Sequence, residues 1–195
     1  MRKTIIGIII LVLSARTINS LAISFEVIIE GGEVKVQGTS SIHDWLINLK
    51  HLNCAVEFIN EGSDIINIGK VTFSCRAKDL QSEYDLMDKK TYDALQADQF
   101  PVITFHSNST TALISDGEKF RGDLTGQLSI AGETRKITIP FTGIILSDNI
   151  IEVNGKAELR MSDFNIDPPT AMMGALKTGD NISVSFKMRF KQKVH

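Results

Sequence analysis

The chain has 195 residues, with 21 Lys and Arg against 23 Asp and Glu, for a formal net charge of −2. That length holds one domain with a sizeable core. A mildly acidic balance without a clustered basic face excludes a nucleic-acid binder.

The first residues read as an export signal. Arg2 and Lys3 make a positive start, an apolar run follows from Ile5 to Leu13, and Ser20-Leu21-Ala22 places small residues where a signal peptidase reads. The run is shorter than the ~20 apolar residues that span a bilayer core. Residues 1–22 are therefore expected to be cleaved at Ala22/Ile23, leaving residues 23–195 as a single domain. Loss of Arg2, Lys3 and Arg16 then moves the formal charge from −2 to −5. The first cysteine is Cys54, so the new N-terminus offers no lipidation site.

Beyond that junction, period-two alternation dominates. It predicts strands near 24–30, 33–40, 43–59 and 65–77. Leu52-x-Cys54-x-Val56-x-Phe58 and Val71-x-Phe73-x-Cys75-x-Ala77 have the pattern of a hairpin. Pairing 58 with 71 and 56 with 73 sets Cys54 opposite Cys75, at a spacing that suits a disulfide. A tighter turn at Glu61-Gly62-Ser63-Asp64 separates the two and leaves buried free thiols. Both registers satisfy the pattern.

A helix is expected from Asp88 to Ala97, where Tyr92, Leu95 and Gln96 recur at helical spacing, Asp88 serves as N-cap and Phe100-Pro101 ends the run. Strands follow near 102–107 and 110–115. Phe120 to Ile130 and Ile137 to Phe141 then form a hairpin around Ala131-Gly132-Glu133-Thr134. Pairing Leu128 with Ile137, Gly126 with Ile139 and Leu124 with Phe141 keeps one apolar face. Ile151 to Met161 alternate cleanly. From Asp163 to Asp180 the pattern fails: Pro168-Pro169 excludes a central strand, Thr170 to Leu176 reads as a short helix and Gly179-Asp180 as a turn. The last strand runs from Ile182 to Phe190, and its Lys187, Arg189, Lys191 and Lys193 form a wet face.

Many antiparallel strands with one or two short helices give an all-β sandwich or a closed barrel, and closure removes exposed edges. Inward Gly122, Gly126, Gly155 and Ala157 interleave with Leu124, Leu128, Val153 and Leu159. Such small residues fit either an apolar channel or the bends of a filled barrel.

Catalytic signatures are missing. There is no Gly-x-Ser-x-Gly elbow, no His-Glu-x-x-His pair and no phosphate loop. His43, His51, His106 and His195 have no second ligand at metal spacing. His43 and Asp44, as neighbours on a strand, face opposite ways. His106 with nearby acids is the one candidate polar cluster for a hydrolase or isomerase. The expectation is a protein with no catalytic residue, no metal and no cofactor.

Several ordered motifs resemble the YceI-like lipid/polyisoprenoid-binding proteins. They are Gly38-Thr39-Ser40-Ser41-Ile42-His43-Asp44-Trp45, Met87 to Leu95, Phe100 to Phe105, Gly122 to Thr134, Met161-Ser162-Asp163-Phe164, Pro168 to Ala171, and Lys177-Thr178-Gly179-Asp180. The stretch Ser40 to Trp45 departs from the His-containing opening strand of commoner members. The resemblance implies a closed, lipocalin-like antiparallel barrel in the periplasm or outside the cell. It also implies a long apolar ligand, such as a polyprenyl phosphate or an isoprenoid quinone, with transient membrane contact for lipid exchange, in a monomer or homodimer. That favours the open channel over a filled barrel presenting loops to a protein partner. Its walls would be Leu124 and Leu128, Ile137, Ile139 and Phe141, Val153 and Leu159, and Val184, Phe186 and Met188. Met172 and Met173 would form an adaptable apolar lip. Arg135 and Lys136 flank the hairpin turn, where an anionic head would meet them or water.

Overall fold

The computed structural model describes residues 21–61, 64–108, 111–146, 150–171 and 174–192. The expected leader lies outside these residues except for its last two positions. Eight antiparallel strands make the wall: β1 (Leu21–Ser40), β3 (Asn53–Glu61), β4 (Asp64–Arg76), β6 (Val102–Ser107), β9 (Lys119–Ile130), β10 (Glu133–Ile145), β11 (Ile150–Arg160) and β13 (Leu176–Gln192). They neighbour one another in that order, and β13 returns to pair with β1 from Phe25↔Gln192 to Ser40↔Thr178. The barrel is closed, one of the two architectures that the patterning allowed and the one that the resemblance implied. Short strands β2 (Asp44–Leu49), β5 (Leu80–Gln81), β7 (Thr111–Ala112), β8 (Ile114–Asp116) and β12 (Thr170–Ala171) extend its rims.

The strand expected over 43–59 is broken. The first part of β1 pairs with β3 and its second part with β2, so β2 splays away from β4 and is continued only by the two residues of β5. Asp79 holds the break. Its backbone carbonyl accepts from Lys50 N at 2.9 Å, and its carboxylate accepts two bonds from Arg76 at 3.0 and 2.8 Å. The Arg76 guanidinium first, and then the His51 ring 3.4 Å from Oδ1, hold this buried carboxyl below the usual range.

Helix α1 (Asp85–Ala94) follows β5. It starts three residues before the expected Asp88, and its N-cap is Tyr84. Asp88 instead lies in the first turn, and its carboxylate accepts from both the backbone N and the Oγ of Ser82 at 2.7 Å. An acid near the positive helix end is favourable there as well as at the cap, which is why the spacing misled. The helix stops at Ala94 because Gln96 takes φ 49°, letting Ala97 N bond Tyr92 O and Gln96 N bond Asp93 O. These two bonds satisfy terminal carbonyls in the Schellman manner.

The β9–β10 hairpin differs from the expected register by two residues. Leu128 pairs with Arg135, Gly126 with Ile137, Leu124 with Ile139 and Gly122 with Phe141. The turn is only Ala131-Gly132, with φ 49° and 82°, the type I′ geometry that matches strand twist. A slip of two preserves the inward face, so the same side chains still point inside. Thr170 to Leu176 is not a helix throughout: Thr170 and Ala171 pair with Lys177 and Leu176. Gly179 and Asp180 belong to β13 rather than to a turn. Asp180 accepts from Ser162 N and Oγ, at 2.8 and 2.6 Å, and so braces the 3-10 turn Met161–Phe164.

One end of the barrel is packed with rings. Phe58 is 0% exposed and meets Phe25, Phe120 and Phe190 edge-on, with centroids 5.2, 6.0 and 6.4 Å away. Phe141 stacks edge-on against Phe120. Interior glycines seat such rings instead of leaving space. A Cβ on Gly143 would lie 2.1 Å from Phe120, and one on Gly155 would lie 2.3 Å from Phe186. Gly143→Ala is therefore expected to destabilise by about 1–3 kcal/mol, since Phe120 is buried and must shift. A urea midpoint equal to wild type would refute that reading of the glycines.

Candidate functional site: the barrel cavity

Above the phenylalanine cluster the barrel is hollow. The cavity measures about 620 Å³, within the ~300–1,000 Å³ common for small-molecule sites. All ten wall residues expected in the described strands line it: Leu124 and Leu128 on β9, Ile137, Ile139 and Phe141 on β10, Val153 and Leu159 on β11, and Val184, Phe186 and Met188 on β13. Met172 and Met173 lie outside the described residues.

Other walls were not foreseen. Trp45, Ile47 and Leu49 of β2 face in, as do Val56 of β3 and Phe73 of β4. Period-two alternation in those segments carried that signal. The face of α1 that carries Met87, Thr91 and Ala94 also reaches the cavity, as does Leu95 just past its end. Starting the helix at Asp88 left out Met87, while Thr91, Ala94 and Leu95 of the same face already lay within the expected bounds. At the rim, Tyr84 and Leu86 line the cavity while remaining 66% and 68% exposed.

The polar candidates distribute differently. His43 lines the cavity at the turn between β1 and β2, and its Nδ1 donates to Asp44 O at 2.7 Å. Trp45 is anchored beside it by an indole N–H bond to Thr39 O at 3.0 Å. His106 is exposed on the outer wall, between Thr72 and Gln127, and does not reach the interior. Arg135 is used structurally: its Nε donates to Asp163 O at 2.6 Å and it pairs with Glu133, pinning the hairpin to the 3-10 turn. Lys136, like Arg135, does not line the cavity. Among the described residues, no group of three His, Cys, Asp or Glu is arranged to hold a metal, and no helix is long and apolar enough to cross a membrane.

Of the two registers that the pattern left open, β3 and β4 take the tighter one, with Glu61 paired to Asp64. Cys54 stands opposite Phe73, and Cys75 pairs across to Ile103 on β6. The cysteines are thus diagonal rather than facing, and both are free thiols on the cavity wall. Burial pushes each thiol up to about 12, with the nearby Asp79 carboxylate adding to the shift at Cys75. The thiolate is the reactive form, so native alkylation at pH 8 is expected to run roughly a thousandfold slower than for an exposed cysteine. Both should react once urea unfolds the chain. Stoichiometric modification of the native protein within minutes would contradict the burial. The sign for stability follows. A raised thiol contributes fully below its unfolded value near 9, and that contribution is lost as pH rises toward about 12.

Comparison with known proteins gives a consistent outline. The YceI-like domain family model matches residues 23–190. No curated protein sequence matches. Among solved structures, BcnA of Burkholderia cenocepacia superposes with a TM-score of 0.64 at 16% identity, covering 84% of this chain and 98% of its own. A polyisoprenoid binding domain from Saccharophagus degradans, implicated in plant cell wall breakdown, gives 0.66 at 12% identity, with 88% and 99% covered. The YCEI protein of Campylobacter jejuni gives 0.57 at 17% identity, with 98% and 94% covered.

Proposed function

The chain belongs to the YceI-like family, and from that premise we propose that it is an exported carrier that holds a long isoprenoid-type lipid in its barrel. The ligand class comprises polyprenyl phosphates and isoprenoid quinones. The observation that supports this most is the cavity of about 620 Å³, walled almost wholly by aliphatic and aromatic side chains.

The physics of carriage follows from burial. Each CH₂ removed from water is worth roughly 0.8 kcal/mol. A tail of ~40 carbons would nominally exceed the practical ceiling of ~18–21 kcal/mol for non-covalent binding. Ordering a flexible tail offsets much of that gain. The tail therefore supplies affinity, and discrimination among lipids has to come from polar groups at the rim. No bond is made or broken in such a cycle, so the protein acts as a binder rather than a catalyst. Loading and release would occur by transient contact with a membrane surface, and exposed Tyr84 and Leu86 suit that contact because they continue the cavity's apolar lining outward.

The alternative reading, an interaction module with a filled barrel, has no use for an apolar interior of this size. Native mass spectrometry of the protein purified from its own host, followed by organic extraction, tests the proposal. A stoichiometric adduct that extracts as an isoprenoid is the expected result. An apoprotein that also takes up no added polyprenyl phosphate or quinone would overturn it in favour of a protein partner.

A further inference from the structure

We propose that the cavity mouth selects an anionic, phosphate-type lipid head over a neutral one, with Lys90 as the residue that reads the charge; this rests on the lipid-carrier reading above. Three side chains among the cavity's lining residues bear or can bear a full positive charge, namely His43, Lys90 and Arg160, and none of the lining residues is Asp or Glu. They differ in how they are already engaged. Arg160 is clamped by Asp163 through two bonds of 3.1 and 2.7 Å, so its charge is compensated. His43 spends its Nδ1 proton on Asp44 O. Lys90 donates from Nζ to Thr170 O at 2.7 Å, and among the described residues no carboxylate pairs with it.

A carbonyl orients an ammonium without cancelling its charge, and two of the three Nζ protons remain to be donated. This bond is exposed at the mouth, so the ammonium stays hydrated until an anion arrives, and a head group tethered there by its buried tail gains an ion pair with it. The helix sorts its charges accordingly. Lys90 sits on the cavity face of α1 with Met87, Thr91 and Ala94, whereas Asp85, Asp88 and Asp93 line a separate surface cleft with Lys89. The acids of α1 are thus turned from the mouth, and its inward cation is left for an incoming anion. A quinone head offers carbonyl acceptors but no charge, so it gains one ordinary hydrogen bond there and no ion pair.

The test uses two probes that share one tail and differ only in the head: geranylgeranyl monophosphate and geranylgeraniol. Trp45, the single tryptophan of the chain, lines the cavity and reports binding by fluorescence. The expected result is a preference of about ten- to hundredfold for the phosphate. That preference should shrink as NaCl is raised. Lys90→Gln keeps an N–H for Thr170 O and removes the charge. It should cut the preference below about threefold, mainly through weaker binding of the phosphate probe, and Lys90→Arg should restore it. Inorganic phosphate alone should not displace the lipid, because it has no tail to bury. Equal affinity for both probes, a preference that survives Lys90→Gln, or tight binding of free phosphate would each overturn the inference and leave the carrier reading standing. Failure of both probes to bind would instead count against the carrier reading itself.

Discussion

Ala157→Phe combined with Val184→Phe is expected to abolish isoprenoid uptake without unfolding the barrel. These residues face each other across β11 and β13, and both line the cavity. Two rings projected from one rung enter space that no side chain occupies, so the strain that usually follows a small-to-large change in a filled core is small. The same rings remove the surface against which a lipid tail would lie. Losing the contact of only a few methylenes, at roughly 0.8 kcal/mol each, lowers affinity by about a hundredfold or more. Tail-probe titration monitored at Trp45 checks binding, and circular dichroism with a melting curve checks the fold. An affinity within threefold of wild type would mean that the lipid does not sit in this part of the barrel. A collapse of the melting transition would mean that the cavity is already filled in solution.

Phe58→Ala should produce the largest loss of stability. Phe58 is 0% exposed and is the ring shared by three of the four aromatic pairs, with Phe25, Phe120 and Phe190. Truncating a fully buried phenylalanine costs about 3–5 kcal/mol, from lost transfer free energy and from the void left behind. Each kcal/mol lowers Tm by about 2–4 °C for a chain of this size, so a drop on the order of 10 °C is expected. The cluster closes one end of the barrel, so the variant should also admit longer tails. A drop under 3 °C would show that the rings are loosely packed and that the end is not sealed.

The sequence and the tertiary structure divided the information along a physical line. Alternation with period two identified most of the wall strands, though not the break between β2 and β3 or the start of β13, and for β9, β10, β11 and β13 it identified which side chains face inward: the ten residues from Leu124 to Met188 all line the cavity. That inference survives because it depends only on odd or even position. For the same reason alternation was blind to register: the β9–β10 pairing differs by two residues from the expected one, with Leu128 against Arg135, and of the two registers open to β3 and β4 the structure takes the one that sets Cys54 against Phe73. A shift of two leaves every residue on its face, so burial does not penalise it. The turn decides instead, and the two-residue turn here requires a positive φ at Ala131, a residue whose type does not announce it. The diagonal placement of Cys54 and Cys75, and hence two free thiols, follows from the separate register of β3 on β4, the tighter of the two that the sequence left open.

The glycines fitted a channel or a filled barrel equally well by sequence, and the hollow interior does not come from them. Gly126, Gly143 and Gly155 seat the rings of Phe105, Phe120 and Phe186 from neighbouring strands, and such pairings exist only once strands are side by side. The void comes from the circumference that eight strands enclose when β13 closes onto β1. Lys90 became visible as a rim residue only once α1 was seen packed at the barrel mouth, with Met87, Lys90 and Thr91 lining the cavity and Asp85, Asp88 and Asp93 lining a separate cleft. Composition and alternation determine which atoms must leave water, because that is local to each strand. How the sheet closes, how far each strand slides and which charge meets the opening depend on contacts between segments far apart in the chain, and only the assembled barrel decides them.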